Sequence, residues 1–171
     1  MQLIILSGSS GSGKTYFSHQ LQGINPLYVI ISSDEVRDTI TGRHKYRSVL
    51  QKKYIKTFIE CNRLVLQSLS LGNSVIYDSC NITPWKRRAL IRVAKYIPDI
   101  EIIGVKFQIP LHKCFLYNTL RKTHTTKRLH IRLMHMLSKI LKLSYSDGFD
   151  RIVTPEVLER EVRHGIKSVR V

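Results

Sequence analysis

Gly8 to Thr15 reads G-S-S-G-S-G-K-T and stands directly after the apolar run Leu3, Ile4, Ile5, Leu6. The stretch fits G-x-x-x-x-G-K-[ST], the phosphate-binding P-loop pattern, which carries meaning where a buried strand precedes it and a helix follows. The spacing predicts that helix over about Lys14 to Leu21. Chemistry dictates the residue types. Gly8, Gly11 and Gly13 admit backbone angles closed to other residues, so successive N–H groups, with those of Ser9, Ser10 and Ser12 among them, turn inward and cradle phosphate oxygens at a helix N-terminus. Lys14 then reaches the β- and γ-phosphates, and the Thr15 hydroxyl ligates Mg²⁺. The expected cofactors are ATP or another NTP, and Mg²⁺.

Two carboxylates are candidates to work beside that cradle. Ser32 and Glu35 have capping-box spacing, which puts Asp34 in a first helical turn and Arg37 about one turn beyond it. The pair then shares a face at the C-terminal edge of the sheet, where ligands bind in open α/β folds. Asp78 ends the apolar stretch Ser74 to Tyr77, and a strand ending in Asp beside a P-loop resembles a Walker B position, whose carboxylate orients Mg²⁺ or its water. Each feature also has a plain structural reading: Asp34 and Glu35 as complements to a helix dipole, and Asp78 as a turn residue. Cys61, Cys80 and Cys114 form no C-x-x-C pair, and His112, His124, His130 and His135 have no carboxylate or thiol at ligand spacing. Neither a disulfide framework nor a structural metal site is expected.

The elements that must position these residues alternate. Leu3–Leu6, Leu27–Ile31, Ser74–Tyr77, Glu101–Phe107 and Phe149–Val153 read as about five buried strands. Val49 to Leu69 reads as a long amphipathic helix with Leu50, Tyr54, Phe58, Cys61, Val65 and Leu69 inward. Thr83 and Pro84 open a helix to about Ile97 that turns Leu90, Val93, Ala94 and Ile97 inward and Lys86, Arg87, Arg88, Arg92 and Lys95 outward. From Lys106 to Ser146 there is no acidic residue, and the leucine and methionine spacing there predicts one or two basic helices. A last helix starts at Pro155 and ends near Val162, before His164 and Gly165. The whole, 1–171, is expected to be a single three-layer α/β/α P-loop NTPase domain with a parallel sheet and a basic helical lid over about 110–146.

Charge points to the partner. The chain holds 28 Lys+Arg against 12 Asp+Glu, a formal net charge of +16, and an excess this large for 171 residues favours a polyanion such as nucleic acid. Met1 leads at once into the first strand and no apolar run reaches membrane-spanning length, so no membrane association and a cytoplasmic location are expected.

The motifs together resemble the 5′-hydroxyl polynucleotide kinases of the phage T4 type, within the broader zeta-toxin and small-molecule P-loop kinases. The resemblance runs from Met1 to about Leu141 and rests on G-S-S-G-S-G-K-T, I-S-S-D-E-V-R, V-I-Y-D-S-C-N-I-T-P-W-K-R-R and Y-N-T-L-R. It implies that Asp34 is the general base for the attacking hydroxyl, with Arg37 holding the acceptor's 3′-phosphate and Arg121 closing over the donor phosphates as a lid arginine. It also implies an acceptor channel past Asp78 and Asn81, with the basic residues Arg87 and Arg88 on the following helix. Departures are Tyr117 where the family often has arginine, Lys127 where a lid proline is usual, and Trp85 and Lys86 where an acidic residue is common. The expected activity is transfer of the γ-phosphate to a DNA or RNA 5′-hydroxyl. The alternatives are a kinase of a nucleoside, nucleotide or other small acceptor, a kinase of a modified base in DNA, and a nucleic-acid-binding NTPase switch.

Overall fold

The computed structural model describes residues 1–41, 51–120, 135 and 143–169. Its centre is β1 (Gln2–Ser7), whose residues Leu3 to Leu6 are wholly buried. Strands β2 (Tyr28–Ser32), β3 (Ser74–Asp78), β4 (Glu101–Lys106) and β5 (Arg151–Val153) join it in the order β2-β3-β1-β4-β5, every pairing parallel. A parallel sheet is covered on both faces, and alternation along β1 assigns the two layers. Leu3 and Ile5 pack with Cys61, Val65, Leu69, Leu90, Ile91 and Ala94 from α3 (Gln51–Ser70) and α4 (Pro84–Ala94). Ile4 and Leu6 pack with Phe17, Leu21 and Leu158 from α1 (Lys14–Ile24) and α6 (Pro155–Val169). Two shorter helices lie at the ends of strands: α2 (Ser33–Thr41) directly after β2, and α5 (Leu111–Leu120) after β4. This is the three-layer P-loop kinase fold.

Parallel register brings the strand ends that matter to one edge. Ser7 pairs with Lys106 and Ser32 with Asp78, so the P-loop, the start of α2 and the turn after β3 share the C-terminal edge of the sheet. Ser32 Oγ accepts a hydrogen bond from the Glu35 N–H at 3.4 Å, the expected N-cap of α2. Thr83 and Pro84 likewise stand at the N-cap and first turn of α4.

The α4 face differs from expectation. Its buried residues are Arg87, Leu90, Ile91 and Ala94, and Val93 is 48% exposed. Positions 87, 90, 91 and 94 form one helical stripe, so the helix presents Arg87 to the interior with the apolar residues. Arg87 is thus no part of the outer basic face. It is 2% exposed, its guanidinium forms an ion pair with Asp147 through two nitrogens, and its Nη1 donates to the Asn81 carbonyl at 2.7 Å. Asp147 closes a single 3₁₀ turn (Tyr145–Asp147) and also accepts from Arg88 Nε at 2.9 Å. A buried cation is tolerable only when paired and hydrogen-bonded, and this one is.

Other elements shift at their ends. The helix α4 stops at Ala94 short of Ile97, β5 begins at Arg151 past Phe149, and α6 runs through His164 and Gly165. Phe149 instead lies against Gly104 of β4, where a Cβ would meet its ring at 3.0 Å. Arg121, Lys122, Lys127 and Arg128, with the rest of 121–134 and 136–142 of the expected lid, lie outside the described residues, as do Gly42 to Leu50. Among the described residues no helix is long and apolar enough to cross a membrane.

Candidate active site

The cradle is built from backbone. Gly11 has φ +77° and Gly13 φ +89°, a left-handed pair that turns the chain into α1. Gly8 serves by size: a Cβ there would come within 2.6 Å of Ser12 Oγ and 2.7 Å of Phe107 Cβ. Lys14 is 7% exposed and folds back over the loop, donating from Nζ to the Ser9 carbonyl at 2.7 Å and to Ser12 Oγ at 3.4 Å. Those contacts hold the ammonium above the loop, where phosphate oxygens bind in sites of this kind.

Across the cavity stand the acids. Asp78 is 5% exposed and lines the pocket with Thr15. Burial raises the pKa of its carboxyl above the ordinary value; the Thr15 hydroxyl and the Lys14 charge oppose that rise, and the Asp34 charge adds to it. Lys14, Thr15, Asp34 and Asp78 therefore line one pocket, together with Ser10, Gly11, Gly13, Ser32 and Cys80. Asp34 is the open member, its side chain 71% exposed, and it pairs with Arg37 at 2.5 Å. The donor set of Thr15 Oγ and one or two carboxylates fits a hard cation such as Mg²⁺, which takes few protein oxygens and completes its shell with phosphates and water.

Asn81 proves to be a brace. It adopts φ +45°, and its side-chain Nδ2 donates to the Leu6 carbonyl at 2.9 Å, with those of Tyr77 and Ser79 at 3.4 Å. Its own carbonyl accepts from Ser7 Oγ at 3.3 Å as well as from Arg87. With the Gly8 N–H to Cys80 carbonyl bond at 3.2 Å, these links tie the end of β1, where the P-loop starts, to the turn after Asp78. The residue expected in the acceptor channel directs its amide nitrogen to backbone instead. Arg88, on the adjacent turn, is half exposed and tied to Asp147.

Sequence reasoning missed the support behind the loop. Asn118 of α5 is 2% exposed; it donates to the carbonyls of Ser10 at 2.8 Å and Cys114 at 2.7 Å and accepts from Ser10 Oγ at 2.7 Å. Ser9 Oγ meets Cys114 Sγ at 3.2 Å. A Cβ on Gly11 would stand 2.3 Å from Asn118 Nδ2, so loop and helix fit with no room between them. The available signal was a polar side chain four residues after a cysteine on an otherwise apolar helix face.

Comparison with known proteins agrees with this fold. Residues 3–143 match the model of the AAA_33 family, described as an AAA domain. Among curated proteins, transcription factor bHLH140 of Arabidopsis thaliana is 24% identical over 156 residues, covering 88% of this chain and 15% of that protein. The chain thus spans about 15% of the length of that relative. Among solved structures, a chain of the Pnkp1/Rnl/Hen1 RNA repair complex is similar with TM-score 0.65 at 18% identity, over 84% of this chain and 46% of that one. A putative kinase from Chloroflexus aurantiacus is similar with TM-score 0.70 at 14% identity, over 95% and 97%. Shikimate kinase from Acinetobacter baumannii in complex with shikimate is similar with TM-score 0.62 at 16% identity, over 99% and 94%. At these identities the likeness is one of fold.

Proposed function

The chain belongs to the AAA_33 family of P-loop kinases, and from that premise we propose that it transfers the γ-phosphate of ATP or another NTP to the 5′-hydroxyl of a DNA or RNA end. The observation that carries the reading is Asp34 on the wall of the P-loop pocket, ion-paired with Arg37: an exposed carboxylate that can take a hydroxyl proton, beside a cation suited to an acceptor phosphate. The net charge of +16 and the similarity to a chain of an RNA repair complex support a nucleic-acid acceptor.

Phosphoryl transfer asks a protein mainly to position reactants and stabilise charge. In this reading the Gly8–Thr15 backbone and Lys14 hold the donor phosphates. Asp34 accepts the proton of the attacking hydroxyl in line with the γ-phosphorus. Arg37 anchors the acceptor's neighbouring phosphate, and Arg121 supplies the cation that closes over the donor. Thr15 and Asp78 would hold Mg²⁺, which would supply positive charge to the donor phosphates. A second reading, a small hydroxyl acceptor, draws on the similarity to shikimate kinase along 99% of the chain.

The test is γ-labelled ATP with Mg²⁺ and a panel of acceptors: 5′-hydroxyl DNA and RNA oligomers, 3′-nucleotides, nucleosides and small alcohols. Label in an oligomer supports the proposal, and label only in a small acceptor moves the assignment to the second reading. Lys14→Ala should abolish transfer by weakening nucleotide binding, whereas Asp34→Asn should abolish it with ATP affinity within a few-fold of the parent.

A further inference from the structure

Trp85 and Phe58 meet edge to face at the ligand end of the fold, with ring centroids 6.1 Å apart and planes at 67°. Trp85 is the second residue of α4, which leaves from beyond the end of β3. Phe58 lies in the N-terminal half of α3, the helix that runs back toward the start of β3. Both rings therefore stand toward the C-terminal edge of the sheet. Lys86 Nζ lies 4.9 Å from the Phe58 centroid and 5.5 Å from that of Trp85. α3 also packs against α2, the helix that carries the Asp34–Arg37 pair.

Packing does not account for Trp85. It is 63% exposed, while α4 meets the core through Arg87, Leu90, Ile91 and Ala94. We propose that Trp85, backed by Phe58 and flanked by Lys86, is a stacking platform for a nucleobase of a single-stranded acceptor. The inference rests on the polynucleotide reading and adds how that acceptor's bases are held. Every base has a π-face, so an aromatic platform takes any of them, and a cation beside it meets the adjoining phosphate. Charge complementarity selects this occupant over an apolar peptide: the platform carries an ammonium over one face of its rings, leaving a base to stack on the other, on a chain of net charge +16.

Trp85 is the sole tryptophan, so fluorescence reports on that ring alone. Titrating the full chain with a short 5′-hydroxyl oligomer should quench the emission, and an abasic oligomer of equal length should quench little and bind more weakly. Trp85→Ala should weaken binding of the base-bearing oligomer by about 5- to 100-fold, Trp85→Phe should restore most of it, and the abasic oligomer should bind parent and Trp85→Ala alike. Thermal melts of both variants check the fold. Unchanged emission, with Trp85→Ala binding the oligomer as tightly as the parent, overturns the platform and leaves the polynucleotide reading standing. If the parent neither binds nor phosphorylates any oligomer while a small acceptor takes the label, both fall.

Discussion

Thr15 and Asp78 line the same wall of the P-loop pocket, the second residue of α1 beside the last residue of β3, and the Thr15 hydroxyl favours the ionised form of the Asp78 carboxyl. The arrangement sets a hydroxyl at the start of α1 beside a carboxylate at the end of β3, a donor pair of the kind proposed above for Mg²⁺. Holding that carboxylate in a buried position has a consequence for stability. Its folded pKa is raised, so the folded state binds the proton more tightly than the unfolded chain. Stability is then lost as pH rises from the ordinary aspartate range, about 4, through the raised value, and above both the ionised group destabilises by a constant amount.

Asp78→Asn should therefore raise the melting temperature of the nucleotide-free protein at neutral pH, with the gain shrinking as pH falls toward about 4. The same variant should lose most of the extra stability that Mg²⁺–ATP confers on the parent. Thermal melts with and without Mg²⁺–ATP at several pH values measure both effects. A variant less stable than its parent at neutral pH would show that the Thr15 hydroxyl and the Lys14 charge outweigh burial.

The Arg87–Asp147 pair predicts a large asymmetry between neighbours. Asp147→Ala leaves the Arg87 guanidinium buried without its carboxylate and should cost about 3–5 kcal/mol in urea unfolding. Arg88→Ala removes a half-exposed partner of the same carboxylate and should cost less than about 1 kcal/mol. Equal losses would mean that Arg87 finds other compensation.

That pair also marks where the sequence stopped being legible. The P-loop, all five strands and the starts of α2 and α4 were readable because each is a local pattern: glycine spacing, apolar runs, and Ser32 or Thr83 ahead of a helix. Arg87 was misplaced because charge was read as exposure, although its spacing to Leu90, Ile91 and Ala94 already put it on the buried stripe; what permits burial is Asp147, 60 residues away. Asn81 and Asn118 were harder still. Nothing local distinguishes an amide that braces two strand ends, or one that props a loop 108 residues earlier, from an amide that faces water.

Asn118 should matter to nucleotide binding without touching nucleotide. Asn118→Ala removes three hydrogen bonds behind Ser10 and Cys114 and should destabilise the fold by about 1–3 kcal/mol. It should also weaken ATP binding, measured by calorimetry, as the cradle loses its fixed shape. Gly11→Ala should be worse, since its Cβ meets Asn118 and its φ of +77° is strained for alanine. ATP affinity unchanged in Asn118→Ala would confine α5 to a packing role.

The thiols should report occupancy. Cys61 and Cys114 are buried, and burial pushes the Cys61 thiol up to about 11, whereas Cys80 is partly exposed and lines the P-loop pocket. In the folded protein a maleimide or aromatic disulfide should modify Cys80 first, and Mg²⁺–ATP should slow that reaction severalfold. Mass spectrometry of the labelled peptide identifies the site. Labelling of Cys80 at the same rate with and without nucleotide would place the bound phosphates away from the β3 turn.

The last expectation concerns salt. If cations at the ligand edge contact an acceptor backbone, log K for a single-stranded oligomer should fall with log[salt] by roughly 0.7 for each phosphate neutralised. Lys86 at the start of α4 and Lys113 at the start of α5 stand at that edge, and Arg92 lies two turns farther down α4. Lys86→Ala combined with Lys113→Ala should lower the slope by about 1.4, and Arg92→Ala should leave it unchanged. Arg87 must be kept in any such series, because its removal would disturb the Asp147 pair and the Asn81 brace and so weaken binding at every salt concentration alike. Affinity that is flat in both salt and oligomer length would favour the small-acceptor reading, and the basic surface would then have its effect on solubility alone.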